Sequence, residues 1–324
     1  MKAIVQDRYG GPEVLQLREV ATPVPGDDCV LVRIHAVPAT LPDCAMRKAD
    51  PVFVRLFHGL LRPKYPILGT EFSGEIAAVG RNVARFKVGD AVIGATCTSM
   101  GGYAEYVVVP EAGALGLKPA NLTHAEAAGL TYSFLTAMPF LRDEGKVRPG
   151  QRVLVNGASG SIGTVAVQLA RHLGAEVTGV CSTGNVEMVR SLGAARVIDY
   201  KREDFAAARC AYDIIFDAVG KSSFARARRA LTPDGVYLTT VPTPSGLMNL
   251  ILPRKDRGRR HVFAATGLRN RVEKAADLAA LKELAEAGVI RPVIDRLYPL
   301  AEAAKAHAYV DTERKAGDVI LAVA

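Results

Sequence analysis

The fold of this chain is decided by one stretch, Val153-Leu-Val-Asn-Gly-Ala-Ser-Gly-Ser-Ile-Gly163. An apolar run is followed by three glycines, and then by the helical sequence Val165-Ala-Val-Gln-Leu-Ala170. This order predicts a buried strand, a tight turn and a long helix. Such a turn brings the backbone N–H groups of the helix N-terminus together, where they can bind an anion.

Strands and helices alternate on both sides of this stretch. The apolar patterns predict strands at 152–155, 176–180, 197–198, 214–216 and 236–240, and helices at 125–141, 162–173 and 186–192. Alternation of this kind is typical of a parallel sheet covered by helices on both faces.

The N-terminal part of the chain has a different pattern. Short β-branched runs bounded by Pro and Gly predict strands at 3–5, 29–34, 71–79, 90–93 and 103–109, which favours an antiparallel, barrel-like domain. An amphipathic helix at 271–288 and a closing strand at 319–323 are predicted near the C-terminus. We therefore expect one domain from 1–123 together with 268–324, to which the closing strand returns, and a second domain from 124–267.

Composition limits the class of protein. The chain has 324 residues, of which 49% are hydrophobic and 23% charged, so two cores can be buried. It has no apolar run of membrane-spanning length, and its five scattered cysteines form no CxxC pair. We expect no secretory signal, because the residues at the start of the sequence lack an apolar run and a cleavage site. We expect a cytoplasmic protein with no membrane partner.

The formal net charge is +8, with basic clusters at 226–229 and 254–260. These clusters either attract an anion, such as a phosphorylated cofactor or a nucleic acid, or form a solvated surface. No aromatic residues accompany them in an RNA-binding pattern, so we expect no nucleic-acid partner.

The glycine stretch predicts a dinucleotide site. Gly160 lets the backbone approach a pyrophosphate, Gly163 lets the helix pack on the strand, and Ala158 can occupy the place of the usual first glycine if its φ is negative. A plain strand–turn–helix corner is the alternative.

The end of the second strand of this domain selects between NAD and NADP. A carboxylate there would bind the ribose 2′-OH and repel a 2′-phosphate. The strand ends instead in Ser182-Thr183-Gly184-Asn185, which contains no acid, and Tyr200 and Lys201 close the next strand. The sequence therefore predicts NADP(H) in preference to NAD(H), with Tyr200 covering the adenine or forming only an aromatic edge of the sheet.

At this point the sequence resembles the zinc-free quinone oxidoreductase, or ζ-crystallin-like, branch of the medium-chain dehydrogenase/reductase superfamily. The resemblance covers essentially the whole chain. It rests on Ile67-Leu-Gly-Thr-Glu-Phe-Ser-Gly74, Arg85-Phe-Lys-Val-Gly-Asp90, Gly102-Tyr-Ala-Glu-Tyr-Val-Val-Val-Pro110, the glycine stretch, Ser191-Leu-Gly-Ala194, Val197-Ile-Asp-Tyr200 and Phe216-Asp-Ala-Val-Gly220.

The resemblance implies an α/β fold, with a Rossmann-type parallel sheet for 124–267 and a GroES-like catalytic domain for the remainder. It also implies a homodimer paired through the strand near 261–265, and acceptor-cleft walls at 51–63 and 242–253. The residues predicted to bind the cofactor are Thr136, Gly157, Ala158, Ser159, Gly160, Ser161, Ile162, Gly163, Ser182, Thr183, Tyr200, Lys201, Ala218, Val219, Gly220 and Thr240.

Zinc-containing members of the superfamily hold their catalytic metal with Cys and His. The matching positions here are Thr40, Thr70 and Tyr132, none of which is a good zinc ligand. Cys44 has no His or Cys partner at a suitable sequence spacing, and His35, His58 and His124 are isolated in the sequence. We expect no bound metal.

Without a Lewis acid, oxidation of a simple alcohol is difficult, and reduction of an electrophilic acceptor is easier. The resemblance implies hydride transfer from NADPH to a quinone or an α,β-unsaturated carbonyl, with donors near the developing negative charge. Thr40, Asp43 and Tyr132 are the candidate catalytic residues. The alternatives are that Asp43 serves simply as a helix cap and that Tyr132 serves simply as a packing residue in the cleft.

Two alternatives remain open. The chain could be a dinucleotide-bound sensor or interaction protein, or it could have zinc-independent activity of the alcohol dehydrogenase type. One departure from relatives bears on the cofactor: Gly184 stands where they often carry Lys or Arg, so Lys201 or Arg202 would have to supply the cation for a 2′-phosphate.

Overall fold

A computed structural model describes residues 1–96, 99–241, 255–256, 258–264 and 266–323. The strands, numbered in chain order, are β1 (Lys2–Val5), β2 (Gln16–Glu19), β3 (Cys29–Pro38), β4 (Glu71–Val79), β5 (Ala91–Ala95), β6 (Tyr106–Pro110), β7 (Ala114–Leu117), β8 (Arg152–Asn156), β9 (Glu176–Cys181), β10 (Arg196–Asp199), β11 (Tyr212–Asp217), β12 (Leu231–Thr239), β13 (Lys255–Asp256), β14 (Arg259–Phe263), β15 (Ile294–Pro299) and β16 (Asp318–Ala322). The α-helices are α1 (Leu41–Lys48), α2 (Val54–His58), α3 (His124–Pro139), α4 (Ser161–His172), α5 (Val186–Ser191), α6 (Phe224–Ala227), α7 (Arg271–Glu286) and α8 (Ala303–Val310).

The chain forms two compact units. The first contains residues 1–132, 268–288 and the described residues from 292 onward, and the second contains the described residues of 133–267 together with 289–291. The sequence analysis placed the first change of domain at 123/124, nine positions earlier, because the helical pattern begins there. In the structure the helix that begins at His124 continues through that position, and its first two turns belong to the first unit.

The first unit is built on a largely antiparallel sheet. Its strand order is β15-β16-β3-β4-β5-β7, with β6 also paired to β3. The closing strand β16 lies antiparallel to β3, with Ile320 opposite Pro38, so the C-terminal segment does return to the first unit. Side chains of β3 alternate between buried and more exposed positions, as expected for a sheet with one covered face.

The second unit is a parallel sheet in the order β10-β9-β8-β11-β12-β14, with the short strand β13 antiparallel at one edge. Strands β8 and β9 are buried along almost their whole length, as expected for the central strands of a parallel sheet. The order reverses between β8 and β11, which are direct neighbours. This switch point is where doubly wound sheets bind ligands, at the carboxyl ends of the strands. The Rossmann-type sheet predicted from sequence is confirmed.

Several elements were not predicted. β2 is exposed at all four positions, so it carries no apolar alternation. β6 begins at Tyr106, three residues later than predicted, and the bridge Ala3–Ala104 replaces the strand before it. Of the predicted features, the cleft wall at 242–253 lies outside the described residues, as does part of the basic cluster at 254–260.

Candidate functional site

The glycine stretch forms a turn that only small residues can build. Gly157 has φ +81°, and a Cβ atom there would lie 2.3 Å from Cγ1 of Val219. A Cβ atom on Gly163 would lie 2.0 Å from the carbonyl oxygen of Gly157, so the helix packs directly on the turn. Ala158 is fully buried and has no positive φ, which satisfies the condition set for a residue replacing the first glycine.

Gly160 has a different role from its two neighbours. It is the N-cap of α4, with φ −81° and ψ 172°, a conformation that any residue can adopt. The nearest atom to a Cβ built on it is 3.5 Å away, so the space beside its backbone is open in the protein alone. No side chain caps this helix end. The turn therefore offers an uncapped helix N-terminus with an open approach, which fits a pyrophosphate.

A buried carboxylate fixes the neighbouring loop, 218–220. Asp217, at the end of β11, is completely buried. Its Oδ1 accepts hydrogen bonds from Nδ2 of Asn156 at 2.9 Å and from the backbone N–H of Gly220 at 2.9 Å, and its Oδ2 accepts from Oη of Tyr237 at 2.7 Å. The backbone N–H groups of Val219 and Ser222 also donate to it. Sequence reasoning did not identify Asp217 as the anchor, although an Asp before a turn that ends in Gly is a recognisable signal.

Thr240 completes this edge of the sheet. Its hydroxyl donates to the carbonyl oxygen of Ala218 at 3.3 Å, and its backbone N–H donates to the carbonyl oxygen of Asp217 at 3.3 Å. The predicted residues 218–220 and 240 are therefore brought together at the carboxyl ends of adjacent strands β11 and β12.

The predicted 2′-phosphate region contains an acid that sequence reasoning missed. The hydroxyl of Thr183 donates to Oδ2 of Asp199 at 2.6 Å. This hydrogen bond is the main cause that lowers the pKa of Asp199, and Arg202 adds to it with its Nε 3.6 Å from the same oxygen. The parallel pairing of β9 with β10 places Asp199 opposite Cys181, directly before Ser182. A carboxylate is therefore present beside the strand end, although none lies within 182–185.

The remaining predicted groups of this region are accessible. Tyr200 is 60% exposed and Lys201 is exposed, while a Cβ on Gly184 would meet no atom within 4 Å. Asn185 donates from Nδ2 to Oγ of Ser182 at 3.3 Å. The region thus combines an exposed aromatic ring, two cations and hydroxyl groups around open space.

In the first unit, Thr40 and Asp43 form the start of α1. Thr40 is the N-cap, and the two residues make a capping box in which each side chain accepts from the other's backbone N–H. The hydroxyl of Thr40 also donates to Oδ2 of Asp43 at 2.6 Å. Both residues are buried. The helix-capping role of Asp43 is therefore real, but it is only part of what this carboxylate does.

Asp43 is also the end of a chain of buried polar groups. Oη of Tyr103 donates to Oδ2 of Asp43 at 3.2 Å and lies 2.9 Å from Nε2 of His307. Nδ1 of His307 lies 3.4 Å from Sγ of Cys44. Burial lowers the pKa of His307 to about 3, so the ring is neutral.

The neutral ring fixes the direction of these hydrogen bonds. Because the Tyr103 proton points to Asp43, Nε2 of His307 is the donor to Tyr103 and Nδ1 is the acceptor from the Cys44 thiol. Burial raises the pKa of Cys44, which keeps it a thiol. We call these four residues, Cys44, His307, Tyr103 and Asp43, the buried relay.

Sequence spacing therefore missed the neighbours of Cys44 and of the histidines. Cys44 does have a histidine neighbour, because the fold brings His307 to it across 263 positions of sequence. His35 and His124 are not isolated either, since their rings stack with centroids 4.4 Å apart and Nδ1 of His124 lies 2.8 Å from Oγ of Ser73.

Thr70, Glu71 and Tyr132 lie near this relay. The hydroxyl of Thr70 donates to Oε2 of Glu71 at 2.6 Å. Burial raises the pKa of Glu71 to about 7, and the Asp43 carboxylate adds to the rise. Burial, followed by the charges of Glu71 and Asp43, raises the pKa of Tyr132, so its phenol remains protonated. Tyr132 and Thr136 stand one turn apart on α3, both partly buried.

The positions that match zinc ligands do not fit a zinc ion. The hydroxyls of Thr40 and Thr70 are neutral and donate to Asp43 and Glu71, and a protonated phenol at Tyr132 is a poor ligand. Among the described residues, no group of three or more His, Cys, Asp or Glu side chains could hold a metal ion. We derive no catalytic step through zinc.

Two family models match the chain. Residues 26–119 match the alcohol dehydrogenase GroES-like domain, and residues 192–321 match the zinc-binding dehydrogenase domain. Together with the sheet and the glycine turn, these matches define a nicotinamide-dependent oxidoreductase. The chain belongs to the medium-chain dehydrogenase/reductase superfamily.

Individual relatives cover the chain from end to end. A mitochondrial NAD(P)H oxidoreductase of Homo sapiens is 32% identical, over 100% of this chain and 89% of the relative. The chloroplastic NADPH-dependent alkenal/one oxidoreductase of Arabidopsis thaliana is 30% identical, over 99% of this chain and 79% of the relative. Among solved structures, the quinone oxidoreductase of Coxiella burnetii is 28% identical with a TM-score of 0.88, covering 100% of this chain and 99% of that one.

Proposed function

We propose that this protein reduces quinones or α,β-unsaturated carbonyl compounds with NADPH. The observation that carries the proposal is that Thr40 and Thr70, at positions that match metal ligands of zinc-containing members, carry neutral hydroxyls that donate to the side chains of Asp43 and Glu71. Such groups suit an acceptor that is already electrophilic. The names of the relatives, which include alkenal/one and quinone oxidoreductases, support the same class of acceptor.

The residues of the glycine turn would hold the cofactor. The pyrophosphate fits the uncapped N-terminus of α4 beside Gly160. The glycine turn follows β8, and the loop 218–220, fixed by Asp217, follows the neighbouring strand β11. When bound, NADPH supplies a hydride to the acceptor. The protein contributes orientation and exclusion of water.

Thr40, Asp43 and Tyr132 are proposed to serve the acceptor side. The Tyr132 phenol stays protonated and can donate a hydrogen bond to an oxygen that gains negative charge. The Thr40 hydroxyl donates to the Asp43 carboxylate and accepts from the Asp43 backbone N–H, so its orientation is fixed. Because no strong acid is available, a single change at Asp43 or Tyr132 should lower kcat about tenfold or less, which is about 1.4 kcal/mol.

NADPH is proposed over NADH. The support is the absence of acids within 182–185, the open space at Gly184, and the exposed cations Lys201 and Arg202. Asp199 opposes this preference, but its charge is offset by the nearby Arg202. Asp199→Asn should therefore tighten NADPH binding, and Lys201→Ala should weaken NADPH binding while leaving the affinity for NADH nearly unchanged. Equal or better binding of NADH by the wild type would contradict the proposal.

The test of the reaction is steady-state oxidation of NADPH with a simple benzoquinone and with a short-chain enone. Gly160→Val serves as the matched variant, because its side chain would fill the proposed pyrophosphate space. We expect turnover with at least one acceptor and its loss in the variant. No turnover with either acceptor would favour a sensor or interaction protein, and oxidation of ethanol or benzyl alcohol alone would favour an alcohol dehydrogenase activity.

A homodimer and a cytoplasmic location remain predictions. The strand near 261–265 is represented by β14, which pairs with β12 and, at Arg259 and Arg260, with β13; residue 265 lies outside the described part of the chain. No helix in the described part is long and apolar enough to cross a membrane.

A further inference from the structure

Residues 52–61 expose an unusual amount of apolar surface. Val52, Leu56, Phe57, Leu60 and Leu61 are 74%, 72%, 73%, 66% and 87% exposed. Elsewhere in the described part of the chain, no stretch of ten residues has more than two large hydrophobic side chains that are this prominently exposed. Single exposed apolar residues are ordinary, but a contiguous group marks a surface that meets an apolar partner.

This surface is held in place by the fold. Helix α2 buries Val54 and His58 on its inner side, so Leu56 and Phe57 point outward. The hydroxyl of Tyr9 donates to the carbonyl oxygen of Gly59 at 2.6 Å, which fixes the turn that presents Leu60 and Leu61. The exposed side chains therefore stand on an anchored element.

The stretch 51–70 around these residues is basic. It contains Arg55, Arg62 and Lys64 and no Asp or Glu, although the exposed Asp50 directly precedes it. Arg62 and Lys64 are exposed beside the apolar residues. Arg62 is near enough to Asp7 to help lower the pKa of that carboxyl group, but the Asp7 carboxylate already pairs with Arg18 at 2.6 Å. The apolar group thus has a positive border that no acid of the segment neutralises.

Three occupants could cover such a surface: a second copy of the chain, an acceptor in a cleft, or a lipid bilayer. Charge and exposure distinguish among these three. A second copy docked symmetrically through the apolar residues would bring two basic borders into one interface, which is unfavourable. A wall of an acceptor cleft should enclose its apolar side chains in a concave site, whereas Leu61 and Val52 are among the most exposed large hydrophobic residues in the described part of the chain. A bilayer with anionic lipids accepts apolar side chains at its interface and attracts the surrounding cations.

We propose that residues 52–64 dock the protein peripherally on anionic lipid bilayers. Leu56, Phe57, Leu60 and Leu61 enter the interface, and Arg62 and Lys64 contact lipid phosphates. Docking of this kind requires no spanning helix. The expectation of no membrane partner rested on the lack of a long apolar run, which does not test peripheral docking.

The experiment is co-sedimentation of the full chain with vesicles of phosphatidylcholine alone and of phosphatidylcholine mixed with phosphatidylglycerol. We expect binding to the mixed vesicles that weakens as salt is raised. Leu61→Ser should weaken the partition coefficient about tenfold, and Lys64→Glu about fivefold or more. The matched controls are Val24→Ser, at an equally exposed valine (86%), and Lys87→Glu, at an exposed lysine outside the segment; both should bind as the wild type does.

Because the altered side chains are exposed, the melting temperature should stay unchanged, and Leu56→Ser provides a second variant of the same kind. Lack of wild-type binding to the mixed vesicles would overturn the proposal. So would loss of a dimer in Leu61→Ser without loss of vesicle binding, which would assign the surface to a second copy. A raised KM for the acceptor with unchanged vesicle binding would assign it to the cleft wall instead.

Discussion

Gly160 is the N-cap of α4 and Gly163 lies in the first turn of that helix, yet alanine should affect cofactor binding at Gly160 and stability at Gly163. At Gly163 the added methyl carbon would lie 2.0 Å from the carbonyl oxygen of Gly157, far inside any normal contact, so α4 must move away from the turn. At Gly160 the nearest atom is 3.5 Å away and the backbone conformation, φ −81° and ψ 172°, suits alanine. One substitution therefore tests packing and the other tests the space reserved for the cofactor.

The expected magnitudes differ accordingly. Overpacking of this severity costs about 3 kcal/mol, at the upper end of the usual range, and lowers the melting temperature by about 2–4 °C per kcal/mol. Gly160→Ala should leave the free energy of unfolding unchanged or raise it by about 0.4–1 kcal/mol, because alanine restricts the unfolded chain. Its Kd for NADPH should rise at least about tenfold, or about 1.4 kcal/mol, since the methyl group blocks the approach of the pyrophosphate.

Two measurements on each variant are sufficient. Thermal unfolding without cofactor reports packing, and titration of NADPH fluorescence at a temperature where both variants are folded reports binding. If Gly160→Ala binds NADPH as tightly as the wild type does, the pyrophosphate does not lie beside this residue. If Gly163→Ala melts at the wild-type temperature, the close contact between α4 and the turn is not what holds them together.

Three further predictions concern other residues. Tyr103→Phe removes the hydroxyl that joins Asp43 to the rest of the buried relay, so kcat should fall about tenfold with the NADPH Kd unchanged. The control is Tyr309→Phe, which removes a hydrogen bond of 2.8 Å to the Asp295 carboxylate outside the relay and should lower only stability. Burial raises the pKa of Glu71 to about 7, so the folded protein retains a proton that the unfolded chain releases above about 4.5, and stability falls as pH rises between these values. Glu71→Gln should reduce this fall in melting temperature across that pH range. An unchanged pH dependence of the melting temperature would contradict the raised pKa of Glu71. Ser182→Asp should weaken NADPH binding by like-charge repulsion and leave NADH binding largely intact, so an equal loss for both cofactors would indicate a general distortion instead.

The parts of the molecule that sequence reasoning could predict are those whose signal is local. The strand, turn and helix around Gly160 follow from a period and three glycines within a few residues, and the structure has them where expected. The start of α1 is similar, because a Thr and an Asp three positions apart form a capping box. Fully exposed strand β2 gave no such signal.

The parts that escaped prediction depend on distant contacts. His307 reaches Cys44 across 263 positions, and Tyr103 reaches Asp43 across 60, so no spacing rule could join them. Asp199 shows the same limit on a smaller scale, since its proximity to Thr183 follows from the pairing of β10 with β9. Exposure of Leu61 and its neighbours could not be read from an apolar sequence that would equally suit a core.

The five hydrogen bonds that converge on Asp217 have a consequence for grafting this site onto another protein. The donors come from a neighbouring strand through Asn156, from the loop through three backbone N–H groups, and from β12 through Tyr237. A transplanted glycine turn would arrive without these partners, and Val219, which stands against Gly157, would have no defined position. The smallest portable unit is therefore the three adjoining strand ends together with both loops.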